Sequence, residues 1–311
     1  MQIIFNQLKC VSAALLLCLP VAGLLAATEM DPVDSEELSL DAIALEISNP
    51  VTSLASFEID VEYRSFQGDL RDAGDQSTFI YNFQPSLPIP LDNGRNILIR
   101  ASIPIWGNQP LYYVDGVEYP EYRVRQLADT LPQDQGFRDG HDHLADIELN
   151  LAYGGVSDNG LISKYGLALV LPTSADISSS VDQYQLGPEI TFGKLTTWGI
   201  FGVSAKHLTR VSGDNTYDAN MSSVEFFFAY GLGNGWQLFS SPVIEYDWEA
   251  VSNNKLFLPL GGGVSRTLRI GRLPVKLAAE LQYYLVTPES FGQQWLLTFS
   301  MTPVWRSPFK D

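Results

Sequence analysis

The sequence predicts an all-β fold: a transmembrane, antiparallel, up-and-down β-barrel of about twelve strands, preceded by a short N-terminal amphipathic helix. Three observations predict it. Segment after segment from Phe57 to Met301 alternates apolar and polar residues with period two. The connectors alternate between tight turns and long polar loops. Tyrosines and tryptophans gather where the segments end.

Composition sets the outer bounds. The chain has 311 residues, 45% hydrophobic and 18% charged. That excludes a disordered chain, and no apolar run beyond the N-terminus is long enough for a transmembrane helix. The start differs from the rest. "MQIIFNQLKC" carries one cation, Lys9; "VSAALLLCLPVAGLLAA" is apolar and ends in small residues; "TEMDPVDSEE" turns acidic. Residues 1–27 therefore read as a secretory signal peptide cleaved near Ala26 or Ala27. A lipoprotein reading at Cys18 lacks the small residue expected before that cysteine. Cys10 and Cys18 both fall in this segment, so the exported chain is expected to be free of disulfides. The formal net charge of −17, more negative still without Lys9, argues against nucleic acid as a partner.

Residues 28–55 form an acidic segment without Lys or Arg in its first part. Within it Leu40, Ile43, Ala44 and Ile47 recur at i, i+3, i+4, i+7, which predicts a short helix over 38–48, ended by Asn49-Pro50. Its apolar stripe needs a partner, so a plug at the periplasmic mouth is preferred over a free tail.

The barrel is expected over 56–306, with 307–311 as a tail. Phe57, Ile59, Val61 and Tyr63 alternate with Glu58, Asp60, Glu62 and Arg64. Phe79, Tyr81 and Phe83 oppose Asn82 and Gln84; Ile97, Ile99, Ala101, Ile103 and Ile105 oppose Arg100 and Ser102. Ile147, Leu149, Leu151 and Tyr153 oppose Asp146, Glu148 and Asn150. The pattern repeats at 184–192, 223–230 and 294–302, and further strands are predicted at 163–172, 199–211, 236–247, 256–268 and 275–286. Each is near the length that a tilted strand needs to cross a bilayer.

"LDNG", "VSDNG", "LTTWG", "LGNG" and "RIGRLP" are tight connectors, with Gly or Asn-Gly where a turn needs positive φ. Long polar loops lie at 67–76, 107–143, 173–183, 212–221, 248–255 and 287–292. Short turns at one end and long loops at the other mark an outer-membrane barrel, with both termini on the short-turn, periplasmic side. Tyr63, Trp106, Tyr153, Tyr165, Trp198, Tyr230, Trp236, Tyr246, Trp248, Trp295 and Trp305 would form the interfacial girdles. A soluble β-sandwich also alternates, but it does not account for so many strands.

The order and spacing of several stretches resemble a known family. "NPVTSLASF" is followed by "FQPSLPIPLDNGRNILIRASIPIWGNQP", "GLALVLPTSAD" and "YQLGPEITF". Then come "YGLGNGWQLFSSPVIEYDWEA", "LFLPLGGGVSRTLRIGRLPVKLAAELQYYLVTP" and "QWLLTFSMTPVW". Together they resemble bacterial outer-membrane β-barrel transporters of the phenol-degradation MetA-pathway-like group, often mislabelled "neuromedin U". The chain departs from that pattern at "RDGHDHLAD", where a Gly-Asp turn is usual, and in ending "RSPFKD" rather than on a strand-terminal aromatic. The resemblance implies fold and location more than chemistry, since it carries no settled substrate.

The parity of the strands names a candidate lumen lining: Glu58, Asp60, Glu62, Arg64, Arg100, Asp146, Glu148, Glu189, Lys206, Glu225, Glu245, Lys276 and Glu280. A Lys or Arg near the midplane of the lipid face costs ~2–4 kcal/mol, which forces these charges inward. Acids outnumber bases, so an open lumen would favour cations; alternatively the charges pair and close it. The long loop 107–143, with "LYYVDGVEYPEYRVRQLADTLP", is expected to meet solute, to constrict the mouth, or to be surface variation.

Other constellations point to no chemistry. His141 and His143 lie with Asp139, Asp142 and Asp146, but no third histidine accompanies them, and neither metal nor cofactor is expected. His207 is the one histidine inside a strand, on the lipid-side parity, with Ser204 on the opposite face and no G-x-S-x-G motif. Gly261–Gly263 is followed by no Lys or helix pattern, so it serves bending or close backbone approach rather than phosphate. The expected function is therefore a non-enzymatic channel or transporter. Small solutes, hydrophobic or aromatic ones among them, would pass through the lumen or a side opening. Outer-membrane lipid and the barrel-assembly machinery are the other expected partners. The competing reading is a closed structural or adhesive barrel.

Overall fold

A computed structural model of the chain describes residues 39–174, 182–213 and 218–309. The signal peptide and the extreme C-terminus lie outside the described residues, as do parts of the expected loops at 173–183 and 212–221.

One helix precedes the sheet: α1 (Leu40–Ile47), capped by the Ser39 hydroxyl, which accepts from the Ala42 N–H at 3.2 Å. The barrel strands follow: β1 (Leu54–Gln67), β2 (Ser77–Pro90) and β3 (Arg95–Gly107). The long connection after β3 holds β4 (Pro110–Val114), β5 (Val117–Tyr119), α2 (Glu121–Leu127), β6 (Gly136–Asp139) and β7 (His143–Leu144). The wall resumes with β8 (Ile147–Val156), β9 (Leu161–Leu171), β10 (Gln183–Leu195), β11 (Gly199–Gly213) and β12 (Asn220–Gly233). It ends with β13 (Trp236–Ser240), β14 (Val243–Asp247), β15 (Leu256–Ile270), β16 (Leu273–Val286) and β17 (Gly292–Arg306).

Every neighbour is antiparallel, and the sheet closes on itself. β1 pairs with β17 from Leu54↔Arg306 to Gln67↔Gly292, and β11 pairs with β12 from Gly199↔Tyr230 to Thr209↔Asn220. β13 and β14 together occupy one position between β12 and β15, so the barrel has twelve strands. The sequence predicts a single strand over 236–247. It is divided at Ser241-Pro242, because Pro242 has no N–H to give to a ladder.

The alternation is realised as two faces. Leu151, Leu167, Phe226, Leu260, Leu281, Leu285 and Phe299 all stand outward and exposed, 48–60% accessible. A belt of this size is not an aqueous surface; it is what a bilayer covers. The tight turns behave as their residues predict: Asn234 (φ 55°) and Gly235 (φ 78°) are both left-handed, as a two-residue primed hairpin turn requires.

Both ends of the barrel carry apolar packing. At the short-turn end, Ile43 and Ala44 of α1 are buried, and Ile43 packs with Leu54, Val304 and Ile47. Asp41 accepts the Gly235 N–H at 2.6 Å, which ties α1 to the β12–β13 turn. The predicted helix thus has the partner its stripe required.

At the long-loop end the 108–146 connection folds into a small cap that the sequence reading did not resolve into elements. β4 pairs with β5 and β6, and α2 crosses behind them. Tyr112, Val114 and Val124 form a core with Phe66 at the end of β1, Leu70 and Ala73 from the β1–β2 loop and Phe291 from the β16–β17 loop. Phe66 stacks on Phe291 with centroids 4.6 Å apart. A signal for α2 is present in the sequence: Glu121 and Arg125 stand at i, i+4 directly after Pro120 and meet at 3.1 Å.

Candidate functional site

Inside the barrel lies a chamber of about 770 Å³. Twelve of the thirteen predicted lining residues border it: Glu58, Asp60, Glu62, Arg64, Arg100, Glu148, Glu189, Lys206, Glu225, Glu245, Lys276 and Glu280. Each sits there because a strand turns alternate residues to opposite faces. Asp146 does not border it. It precedes β8 rather than lying in it, and its carboxylate accepts the Ser174 N–H at 3.1 Å in the loop region. Strand parity extends one residue too far at Asp146, because β8 begins at Ile147.

Lys164 also lines the chamber and is absent from the predicted set. The signal for it was present. On β9 the inward parity runs Ile162, Lys164, Gly166, Ala168 and Val170, opposite the exposed Leu161, Tyr165 and Leu167. Gln84, Gln282, Tyr284 and Gln293 line it as well.

The charges are partly paired. Arg64 meets Glu62 at 2.6 Å, Lys206 meets Glu148 at 2.7 Å, Lys164 meets Glu189 at 3.2 Å and Arg100 meets Glu58 at 3.3 Å. Gln84 Nε2 donates to Asp60 at 2.5 Å. Among the described lining residues eight acids stand against five bases. Glu225 and Glu245 have no ion pair among the described residues, so the paired groups leave a net negative interior. The Arg100–Glu58 pair is half-exposed and contributes only ~0–1 kcal/mol, so it arranges charge more than it holds the wall together.

Lys276 and Glu280 do not lock each other. Four residues apart on one strand, they are separated by roughly 13 Å of backbone rise. Lys276 Nζ reaches down to the Ser48 hydroxyl beyond α1 at 3.2 Å and lies 5.5 Å from the Phe239 ring. Glu280 crosses to Ser241, accepting its N–H and its hydroxyl at 3.0 Å each.

Each mouth of the barrel carries a folded segment. Ile47, Ser48 and Asn49 form its floor at the short-turn end. At the long-loop end α2 is pinned to the wall by Arg125. Its guanidinium meets Asp247 of β14 at 3.2 Å, with both side chains buried, and lies 5.2 Å from the Phe257 ring. Of the three expectations for loop 107–143, the geometry matches a constriction of the mouth.

On the lipid face His207 Nδ1 lies 2.9 Å from the Ser222 hydroxyl, which also accepts the Trp248 indole N–H at 2.9 Å. Ser204 is on the opposite face, bonded to Thr191 at 2.7 Å. The Ser222 partner is a cross-strand neighbour, His207↔Ser222, that strand spacing within β11 does not reveal. Among the described residues no carboxylate or amide bonds this imidazole, so the trio reads as a polar knot in the interfacial girdle. His143 Nδ1 lies 2.5 Å from the His141 carbonyl, which turns that ring onto its own backbone.

No protein-family model matches the chain, and no curated protein sequence does. Solved structures do. An outer membrane channel from Pseudomonas putida F1 superposes with a TM-score of 0.59 at 10% identity, covering 89% of this chain and 100% of that one. The fold is that of an outer-membrane barrel. The Pseudomonas putida toluene transporter TodX covers 86% of this chain and 93% of its own, at 13% identity and a TM-score of 0.40. The outer membrane phospholipase A from Escherichia coli covers 85% and 98%, at 13% identity and a TM-score of 0.40.

Proposed function

We propose that the chain is a passive outer-membrane channel for small solutes, hydrophobic and aromatic ones among them, exported by its N-terminal signal peptide. We place it with the phenol-degradation MetA-pathway-like transporters that its motifs resemble. The observation that carries the reading is the chamber: a closed wall, apolar outside, around an open volume whose lining mixes polar and apolar side chains and is net acidic. A barrel serving only as an anchor gains nothing from eight inward carboxylates, several of them unpaired. The fold shared with the Pseudomonas putida F1 channel supports the same reading.

In this reading α1 floors the periplasmic mouth and α2 constricts the outer one. Each is held by a small apolar cluster and a few polar contacts rather than by strand pairing, so both act as gates rather than walls. The acidic interior raises the local concentration of cations. The reading is non-enzymatic, because the Ser222–His207 pair has no orienting group.

Purified protein in a planar bilayer tests it. Discrete cation-selective conductance, together with solute entry into intact cells, is the expected result. Absence of both establishes the competing reading, a closed structural or adhesive barrel, for which the capped ends and paired charges would then be the explanation.

A further inference from the structure

Charge is spread unevenly round the chamber wall. The four ion pairs that line it, Arg64–Glu62, Arg100–Glu58, Lys164–Glu189 and Lys206–Glu148, all lie on β1 to β11. From β12 to β16 the lining carries Glu225, Glu245 and Glu280 against one base, Lys276. Glu280 is engaged by Ser241, and Lys276 by Ser48 at the floor. Glu225 and Glu245 are left without an ion pair among the described residues.

β12 and β14 set these two acids side by side. Glu225 stands opposite Val243, and Glu245 opposite Ser223, so they are diagonal neighbours on one face, roughly 7–8 Å apart. On the other flank Lys206 stands opposite Ser223, but its ammonium is turned away to Glu148, donating to both carboxylate oxygens at 2.7 and 2.8 Å. Two like charges at this spacing repel each other, and a cation set between them relieves both.

The wall beside the acids, toward the short-turn end, is aromatic. Phe227 follows Glu225 by two residues and so shares its face, and Phe239 stands on the adjacent β13; both border the chamber. Both rings lie along the wall because glycines make room for them. A Cβ at Gly193 would come within 3.0 Å of the Phe227 ring, and one at Gly263 within 2.7 Å of the Phe239 ring. Phe239 already holds an ammonium: Lys276 Nζ lies over its ring, 5.5 Å from the centroid. That is the arrangement in which a ring face attracts a cation. Phe227 carries no such cation among the described residues.

The geometry points to an organic-cation site: the chamber takes small amines with an aromatic body, the ammonium between Glu225 and Glu245 and the body against Phe227 and Phe239. The proposal rests on the channel reading above and names the solute class within it. A neutral arene would use the rings but leave the two carboxylates facing each other. An aromatic carboxylate would add a third negative charge beside them. A hard divalent cation takes six to eight oxygens, more than these four carboxylate oxygens supply, and has no use for the rings.

Calorimetric titration of the purified protein tests the site, with planar-bilayer conductance read on the same preparation. The probe is benzylammonium. Benzyl alcohol lacks its charge, benzoate inverts it, and methylammonium lacks its ring; each should bind at least about tenfold more weakly. Glu225→Gln with Glu245→Gln should weaken benzylammonium roughly 10–100-fold and leave benzyl alcohol unchanged. Phe227→Leu, which keeps both charges, should weaken benzylammonium about 2–30-fold and leave methylammonium unchanged. In the bilayer, benzylammonium should lower the potassium current through wild type and not through the double Gln variant. The site is overturned if the double Gln variant, folded by its heat-modifiable gel shift, binds benzylammonium as tightly as wild type. It is overturned equally if methylammonium, benzyl alcohol or calcium binds wild type as well as benzylammonium does. Current without amine binding sinks the site and leaves the channel reading standing. Amine binding without current sinks the channel reading and leaves the site.

Discussion

The Glu280 carboxylate holds Ser241 by two atoms at once, its backbone N–H and its hydroxyl, across an intervening strand that carries glycine where a side chain would block the way. Glu280 is buried, and this contact replaces a rung of the β-ladder. Replacing Glu280 with Ala leaves a Ser241 N–H with no acceptor, which should cost about 1–3 kcal/mol. Ser241→Ala keeps the N–H bond and should cost less. The order of the two variants in urea unfolding, followed by the heat-modifiable gel shift, checks this; equal stabilities would mean that the contact holds nothing.

The two faces of β16 make a sharper test. Leu281 stands outward, 48% exposed. Leu281→Arg should destabilise the folded barrel in lipid by ~2–4 kcal/mol. Ala278→Arg, on the chamber face, should cost much less and shift ion selectivity toward anions. Folding yields in liposomes and reversal potentials would report both.

Arg125 carries the outer constriction. Removing one partner of a buried pair costs about 3–5 kcal/mol. Asp247 also accepts the Glu249 and Ala250 N–H groups, so Arg125→Ala should fall at the lower end of that range. The energy comes out of cap docking rather than barrel folding. The expected outcome is higher conductance and faster protease cleavage within 108–142, with the barrel intact.

At the opposite mouth, Ile43 has no accessible surface. Ile43→Asp puts a charge into the cluster with Leu54 and Val304 and should release α1. Single-channel conductance should rise. An unchanged conductance would show that α1 is no part of the barrier.

Glu225 and Glu245 border the chamber without an ion pair among the described residues. Neutralising both as Gln should reduce cation preference, read as a reversal potential closer to zero in a salt gradient, with little loss of stability.

Much of the barrel was legible in the chain because its signals are local. A strand's neighbours along the chain tell each residue which face it occupies, so Glu58, Asp60 and Glu62 were assignable inward without knowing which strands lie beside them. Lys164 is equally legible, since on β9 it stands on the parity opposite the exposed Leu161, Tyr165 and Leu167. Asp146 failed for a local reason too, a strand that starts one residue later than its pattern. Asn234-Gly235 was readable because positive φ is a property of the residues themselves.

What the sequence by itself determined, then, is which side of the wall each residue faces, where the wall turns, and that the outside is lipid. Only the tertiary structure decided who meets whom across strands. Glu280 and Lys276 share a face and look like partners on paper, but a strand spaces them too far apart to touch. The register between β13–β14 and β15, with Gly261 and Gly263 clearing the path, delivers Glu280 to Ser241 instead. Likewise Arg125 reaches Asp247 across 122 residues of chain. Face is set by a bond angle repeated along one strand, whereas contact is set by the stagger between strands, and that exists only once the barrel is closed.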